Sequence, residues 1–412
     1  MARVVLTTFG SHGDLNPFLA IGVELTRRGH EATLACAEAY RGDAERLGLR
    51  FAHVRPDLDK EDLDTFRRAM DPRRGSEVVV KELVMPRVRE SYEDLEKAAD
   101  GADLLVSHVL TYAAPVLAQK KGLKWLSTSL QPLGFFSPHD PPVVPPAPWL
   151  SALRPLGPAF HRVLLGAMKR VSRPWGDEVR RLRRSLGMDD GLDPVFEGQY
   201  SPYGTLALYS PLFGPAQPDW PADVVHCGFP FHDEDLEGRS FDPRLDAFLR
   251  AGPPPVVFTL GSAAVMIAGD FYARAAETAE ALGTRAVLLA GPAADSLPKR
   301  DGLFAAASAP YHLLFPRCAA VVHSGGIGTT GQALRAGVPQ VVTPFAHDQF
   351  DNASRVERLG CGAWSSQRRV RRDLARVLGD GAMKRRAADV GAAVRAEGGA
   401  KTAADAVERA LA

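Results

Sequence analysis

The run Val321-Val322-His323-Ser324-Gly325-Gly326-Ile327-Gly328-Thr329-Thr330-Gly331-Gln332 holds the most specific chemistry in the sequence. An apolar strand ends at His323, a glycine-rich turn follows, and a helix is expected to begin near Thr329. Backbone N–H groups at a helix start, aided by the helix dipole, form a ready site for a diphosphate. Gly326 and Gly328 let the backbone approach a ligand closely. The hydroxyls of Thr329 and Thr330 can add hydrogen bonds, and His323 can donate to a phosphate oxygen. Gly326 to Gly331 also fits the GxGxxG dinucleotide fingerprint, with Asp348 about twenty residues on. Three features weigh against an NAD-dependent oxidoreductase. The motif comes late in its domain, Asp348 lies beyond the next strand, and no second nucleotide-binding half follows.

A second chemical turn opens the chain: Gly10-Ser11-His12-Gly13-Asp14-Leu15-Asn16-Pro17. It follows the apolar run Val4–Thr8. Asn16 is expected to cap the next helix, with Pro17 at its first position. Gly29 stops that helix, and a strand over 32–37 completes a βαβ unit. Strands are also expected at 103–107, 124–129, 256–260, 286–290, 319–323 and 340–343, with helices at 113–120 and 270–282. Arg162 to Gly187 reads as a helix or helix pair broken at Pro174, with a core-facing stripe of Leu164, Met168, Val171, Trp175, Val179, Leu182 and Leu186. The alternation predicts an α/β protein of two doubly wound, Rossmann-like domains facing across a cleft, with ligands at the carboxyl ends of the strands. The expected division is an N-terminal acceptor-binding domain over 1–230 and a linker over 231–255, where Phe231-His232-Asp233-Glu234-Asp235 is acidic. A nucleotide-sugar-binding domain follows over 256–390. The C-terminal helix over 391–412 is expected to pack back on the N-terminal domain.

The run from His323 to Gly362 resembles the donor-binding signature of the UDP-glycosyltransferase superfamily, which has the GT-B fold. The similarity lies in His323, Gly325-Gly326, Gly328-Thr329-Thr330, Ala336-Gly337-Val338-Pro339, Pro344, Asp348-Gln349 and Asn352-Ala353. The form is similar to sterol glucosyltransferases and to bacterial transferases acting on antibiotic aglycones, and the turn at 10–17 supports the same group. The resemblance implies diphosphate binding by Ser262, His323, Gly326, Gly328, Thr329 and Thr330. It implies donor-sugar contacts from Asp348 and Gln349, and a nucleoside near Tyr311 and Gln332. Gln332 stands where the plant-type pattern has a ribose-gripping carboxylate, which leaves UDP against TDP open.

Inverting sugar transfer needs a base within reach of the acceptor hydroxyl. Asp14 is the expected base and His12 the alternative. His108, after the strand at 103–107, is placed to pair with Asp14, either holding it ionised or relaying a proton. Each also has a plainer reading: Asp14 and Asp348 as helix caps, Ser262 as a turn residue, His108 and His323 as strand-end histidines. Tyr112, Phe135, Phe136 and Trp149 suggest an apolar acceptor pocket suited to a polyphenol, macrolide or sterol. The expected activity is metal-independent transfer of a hexose, glucose first, from a UDP- or TDP-sugar, with no cofactor beyond that co-substrate and no metal site. A non-catalytic GT-B partner protein and a nucleotide-sugar epimerase are the alternatives.

The 412 residues carry a net charge of +1, with 45% hydrophobic and 24% charged side chains. That balance gives no basic surface for a nucleic-acid partner. Four cysteines without a CxxC pair suggest neither a zinc site nor a disulfide framework. No run has the roughly 20 apolar residues of a membrane span. The opening residues are too short for a signal-peptide core, so a cytoplasmic location is expected.

Overall fold

Short runs of β-branched and apolar residues become parallel strands, the central ones buried on both faces, as expected where helices cover a sheet on two sides. The computed structural model describes residues 1–57, 62–233 and 242–412. Glu234 and Asp235 of the acidic stretch lie outside them. The chain divides into two units: Met1–Ala69 with Arg73–His232 and Gly398–Ala412, and Met70–Pro72 with Asp233–Glu397.

The first unit holds β1 (Arg3–Thr7), β2 (Glu31–Cys36), β3 (Arg50–His53), β4 (Leu104–Ser107), β5 (Lys124–Ser129), β6 (Thr205–Ala207) and β7 (Val224–His226). Their order is β3-β2-β1-β4-β5-β6-β7, all parallel. The second unit holds β8 (Val256–Thr259), β9 (Ala286–Leu289), β10 (Leu303–Ala306), β11 (Ala320–His323), β12 (Gln340–Val342) and β13 (Gly362–Trp364). Their order is β10-β9-β8-β11-β12-β13, again all parallel. The helices include α1 (His12–Arg27), α2 (Ala113–Lys121), α3 (Gly157–Ser172), α4 (Asp177–Ser185) and α9 (Ala400–Leu411) in the first unit, and α5 (Pro243–Arg250), α6 (Phe271–Ala281), α7 (Ile327–Ala336) and α8 (Gln349–Arg358) in the second.

The pleat sorts the second core into two layers. Val256, Phe258, Leu288 and Val322 pack with Phe271 and Ala275 of α6 on one face. Their strand neighbours Val257, Val287 and Val321 pack with Leu245 of α5 and Ala333 of α7 on the other. Successive side chains point to opposite faces, so a run of apolar residues serves both layers. Burying each such side chain is worth about 1.5–3 kcal/mol. In the first unit Val5, Leu105 and Trp125 pack with Val116 and Leu117 of α2.

The chain's last helix belongs to the first unit. Arg28 bonds Asp405 at 2.5 Å and Glu408 at 2.8 Å, and His30 reaches Glu408 at 3.0 Å. Just before α9, the Gly399 N–H donates to Cys227 O at 2.7 Å.

Two local expectations need correction. Asn16 is not the cap of α1, because Ser11 opens that helix earlier through a capping box with Asp14. Pro17 therefore lies inside the helix. The apolar stripe over 164–186 is not uniformly core-facing. Val179 and Leu182 of α4 are buried, whereas α3 ends at Ser172 with Val171 79% exposed. The break falls at the 3-10 turn Arg173–Gly176, around Pro174. All four cysteines are free and buried. No helix among the described residues is long and apolar enough to cross a membrane.

Candidate functional site

Each sheet reverses its strand order at one place, between β1 and β4 in the first unit and between β8 and β11 in the second. Open parallel sheets bind ligands at the carboxyl ends of the strands beside such a reversal. Asp14 follows β1 and His108 follows β4. Gly261 and Ser262 follow β8, and the glycine turn follows β11. These residues, read as chemical from their types, thus fall at the two switch points.

At the first, Gly10 has φ 134°, and a Cβ there would meet Asp14 Oδ2 at 2.3 Å. Only glycine lets the turn fold over that carboxylate. Asp14 Oδ2 accepts from Ser11 N at 2.8 Å and Ser11 Oγ at 3.2 Å. The other oxygen, Oδ1, faces His108 Nε2 at 3.7 Å. The capping role and the pairing with His108 therefore coexist on different oxygens. Burial raises the Asp14 carboxyl to about 6, against the lowering effect of the Ser11 hydrogen bonds. His108 is buried under Phe18 and α1, and burial lowers it to about 3. It is therefore neutral at physiological pH, and it cannot hold Asp14 ionised as an imidazolium. Its Nδ1 accepts from Leu110 N at 3.4 Å, which places the proton on Nε2, toward Asp14. His12 turns elsewhere. It is half exposed, edge-on to Tyr40 with centroids 5.4 Å apart, and 4.0 Å from Asp43.

At the second, helix α7 begins with Gly326 as N-cap and no side-chain cap. The N–H groups of Ile327, Gly328 and Thr329 have no intrahelical acceptor. Gly328 is exposed and Gly326 partly so. The neighbouring turn is drawn alongside. Ser324 Oγ bonds Leu260 O at 3.0 Å, and a Cβ on Gly261 (φ 71°) would lie 3.4 Å from Thr329 Oγ1. Ser262, next to Gly261, is exposed.

Two expected phosphate donors are corrected. His323 is fully buried, its Nδ1 accepting from Gly325 N at 3.0 Å and its Nε2 bonding Gln340 Oε1 at 2.8 Å. Gln340 Oε1 only accepts, so the one ring N–H is already used. Burial also lowers His323 to about 4. It shapes the turn instead of donating to a phosphate. Thr330 is likewise buried, its hydroxyl bonding Gly326 O at 3.0 Å.

The donor-sugar pair adjoins this turn. Asn352 Nδ2 donates to Asp348 Oδ2 at 2.6 Å and to Gly325 O at 2.8 Å. Asp348 stands at the N-cap position of α8 but its side chain makes no cap bond. His347 before it has φ 55°, a conformation costly for a non-glycine residue and common where a site over-determines the backbone. Gln349 Oε1 accepts from Phe345 N at 2.8 Å and Ala346 N at 3.1 Å, holding the turn from Pro344.

The expected nucleoside pair has partners within the protein. The Tyr311 hydroxyl bonds Thr259 Oγ1 at 2.8 Å, and its ring stacks on Phe315. Gln332 Nε2 bonds Asp233 Oδ1 at 3.3 Å, and Arg335 pairs with the same carboxylate. What residue types did not reveal is a cavity of about 350 Å³ at the carboxyl ends of β9 and β10. Gly291, Asp295 and residues 305–310 line it, with Asp242 and Arg244 at the start of α5. Its signal in the sequence is positional only: strand ends on one side of the switch point.

The four acceptor aromatics are not gathered into one lining. Phe135 is buried, stacked on Trp220 at 3.9 Å and parallel to Tyr200. Tyr112 is buried beside a void of about 20 Å³, room for one water at most. Phe136 is half-buried against Phe196, and Trp149 is 67% exposed. Close packing leaves Phe135 and Tyr112 no open face for a ligand.

Comparison with known proteins adds independent findings. Residues 4–119 match the glycosyltransferase family 28 N-terminal domain, and residues 289–408 match the erythromycin biosynthesis protein CIII-like C-terminal domain. The chain is 33% identical to the O-mycaminosyltylonolide 6-deoxyallosyltransferase of Streptomyces fradiae, over 98% of this chain and 97% of that protein. Among solved structures, the calicheamicin glycosyltransferase CalG4 superposes with a TM-score of 0.72 at 20% identity, covering 100% of this chain and 98% of that one. The spinosyn rhamnosyltransferase SpnG complexed with thymidine diphosphate gives 0.68 at 19% identity, covering 99% and 100%.

Proposed function

The chain belongs to the UDP-glycosyltransferase superfamily of GT-B glycosyltransferases, and from that premise we propose that it moves a hexose or deoxyhexose from a thymidine- or uridine-diphosphate donor to a hydroxyl of an apolar natural product, with inversion at the anomeric carbon. The observation that carries this reading is the uncapped start of α7, fastened through Asn352 to the carboxylate of Asp348. A diphosphate and the sugar attached to it are the pair of ligand groups those two features suit together.

Each part then has a task. The amides of Gly326, Ile327, Gly328 and Thr329 take the diphosphate and meet the charge that builds on it as the bond to the anomeric carbon breaks. Asp348, with the Gln349 amide, binds sugar hydroxyls, and the cavity beside β9 and β10 takes the nucleobase. Asp14 Oδ1 receives the acceptor proton as the acceptor oxygen attacks. A carboxyl titrating near 6 is mostly ionised at neutral pH and is more basic than an ordinary aspartate. Neutral His108 turns its Nε2–H toward Oδ1 from 3.7 Å away. The sugar classes in the names of the Streptomyces fradiae relative and the spinosyn enzyme favour a deoxyhexose over glucose. The thymidine diphosphate in the latter favours that nucleotide.

Thermal-shift screening with thymidine diphosphate, UDP and NAD is the first test, since a ligand bound only by the native state raises the melting temperature. The diphosphates should raise it and NAD should not. Incubation with TDP- and UDP-sugars and a panel of macrolides, polyphenols and sterols should then give a glycosylated product by mass spectrometry. A shift with NAD alone, or no transfer from any donor, would sink the proposal. Donor conversion without acceptor would mark an epimerase.

A further inference from the structure

The amide of Asn352 is wholly buried in the first turn of α8, and both of its N–H groups are committed. One goes to Gly325 O at 2.8 Å and the other to Asp348 Oδ2 at 2.6 Å. Both partners are acceptors, so the orientation of the amide is settled. Its own Oδ1 is buried without a partner among the described residues. A side chain kept only for packing would avoid that desolvation cost.

The Gly325 peptides are thereby held at both ends. The N–H of Gly325 goes to His323 Nδ1 at 3.0 Å and its carbonyl to Asn352. No other residue fits here: φ is 94°, and a Cβ would meet Val342 Cγ1 at 2.7 Å and Gln349 O at 3.0 Å. In a trans peptide the C=O and the following N–H point in opposite directions. A Gly325 carbonyl fixed toward Asn352 therefore turns the Gly326 N–H away from it, on the partly exposed side where α7 begins.

We propose that Asn352 is a positioning residue which sets the Gly326 amide and the Asp348 carboxylate in one fixed relation, so that the diphosphate and the sugar of a donor are gripped in register. The proposal rests on the donor-binding reading above and goes beyond it by assigning the coupling to a residue that touches no substrate.

Calorimetry on the full chain tests it, with thymidine diphosphate, UDP, TDP-glucose and UDP-glucose as probes. The four proteins are wild type, Asn352→Ala, Asn352→Asp and Asp348→Asn, each with its melting temperature recorded. Asp348→Asn should lose only the extra affinity that the sugar confers. Asn352→Ala should lose that increment and also bind the bare diphosphates about tenfold more weakly, because the Gly326 amide is released. Asn352→Asp keeps the shape, cannot donate two hydrogen bonds, and should show the same double loss, which covers the case in which the alanine variant does not fold. A folded Asn352 variant that keeps both affinities, or loses the sugar increment alone, would overturn the coupling. If the wild-type protein binds none of the four probes, the donor-binding reading itself has failed.

Discussion

The turn after β1 and the turn after β11 are built alike and finished differently. Each follows a central parallel strand, each lies at a reversal of strand order, and each hinges on a glycine of positive φ, Gly10 at 134° and Gly325 at 94°. Yet α1 opens with a complete capping box, Ser11 and Asp14 bonding each other's backbone, while α7 opens with a bare glycine. A capped N-terminus has met much of its own demand for acceptors; an uncapped one retains it. The first turn therefore presents a carboxylate, suited to take a proton. The second presents amides, suited to take an anion. One architectural position is thus suited to opposite electrostatic work, according to whether the chain supplies the cap or leaves it open.

The largest effect should come from removing the group that the closed turn presents. Asp14→Ala should cut kcat by roughly 10²–10⁴-fold, the usual worth of a general base. Affinity for thymidine diphosphate should stay within about twofold, because that ligand is assigned to the other turn. In the wild type, kcat/KM should fall on the acid side with an apparent pKa near 6, set by burial of this carboxyl. Steady-state kinetics from pH 5 to 8 would check both, and an unchanged kcat would return the role of base to His12.

Next in size is a substitution that makes the open turn resemble the closed one. Gly326 has φ −57° and ψ 140°, an ordinary N-cap conformation, and a Cβ there would meet nothing within 4 Å. Gly326→Asp should therefore fold and cap α7. Its carboxylate would sit where the diphosphate is to go, so affinity for thymidine diphosphate should drop by about 100-fold. The melting temperature should hold or rise slightly, since aspartate is a somewhat better N-cap than glycine. Calorimetry and a melting curve on the same sample separate the two effects. Retained affinity would mean that the diphosphate binds elsewhere.

The comparison also marks where residue types stop being informative. Strands such as β1, β4, β8 and β11 are legible because burial on both faces demands unbroken apolar runs. The three-residue β6 and β7 are short, and the surrounding prolines and aromatics mask them. At the site, residue type gives capacity but not direction. His323, Thr329 and Thr330 all read as phosphate donors, yet His323 and Thr330 spend their polar atoms inside the turn. Asn352 belongs to the same recognisable pattern, but its two partners lie 27 and 4 residues away in sequence and meet only when β11 and β12 pair. The aromatics fail for the related reason that ring stacking serves a core as well as it serves a ligand.

The smallest effect concerns stability and has a sign that capping alone would not give. A capping aspartate normally stabilises its helix when ionised, and replacing it should then weaken the fold at neutral pH. Asp14 is instead raised from 3.8 to about 6 by burial. The folded state thus holds this proton more tightly than the unfolded chain does. The resulting stabilisation is complete below about pH 4, and it is lost as pH climbs through 6. Asp14→Asn removes the charge while leaving an oxygen that can still accept from Ser11. The variant should therefore melt higher than wild type at pH 8, by roughly 2–4 °C, with the gap closing by pH 4. Paired melting curves at the two pH values decide the matter. A gap of the opposite sign at pH 8 would mean that the cap outweighs burial, and that the closed turn is a structural device before it is a chemical one.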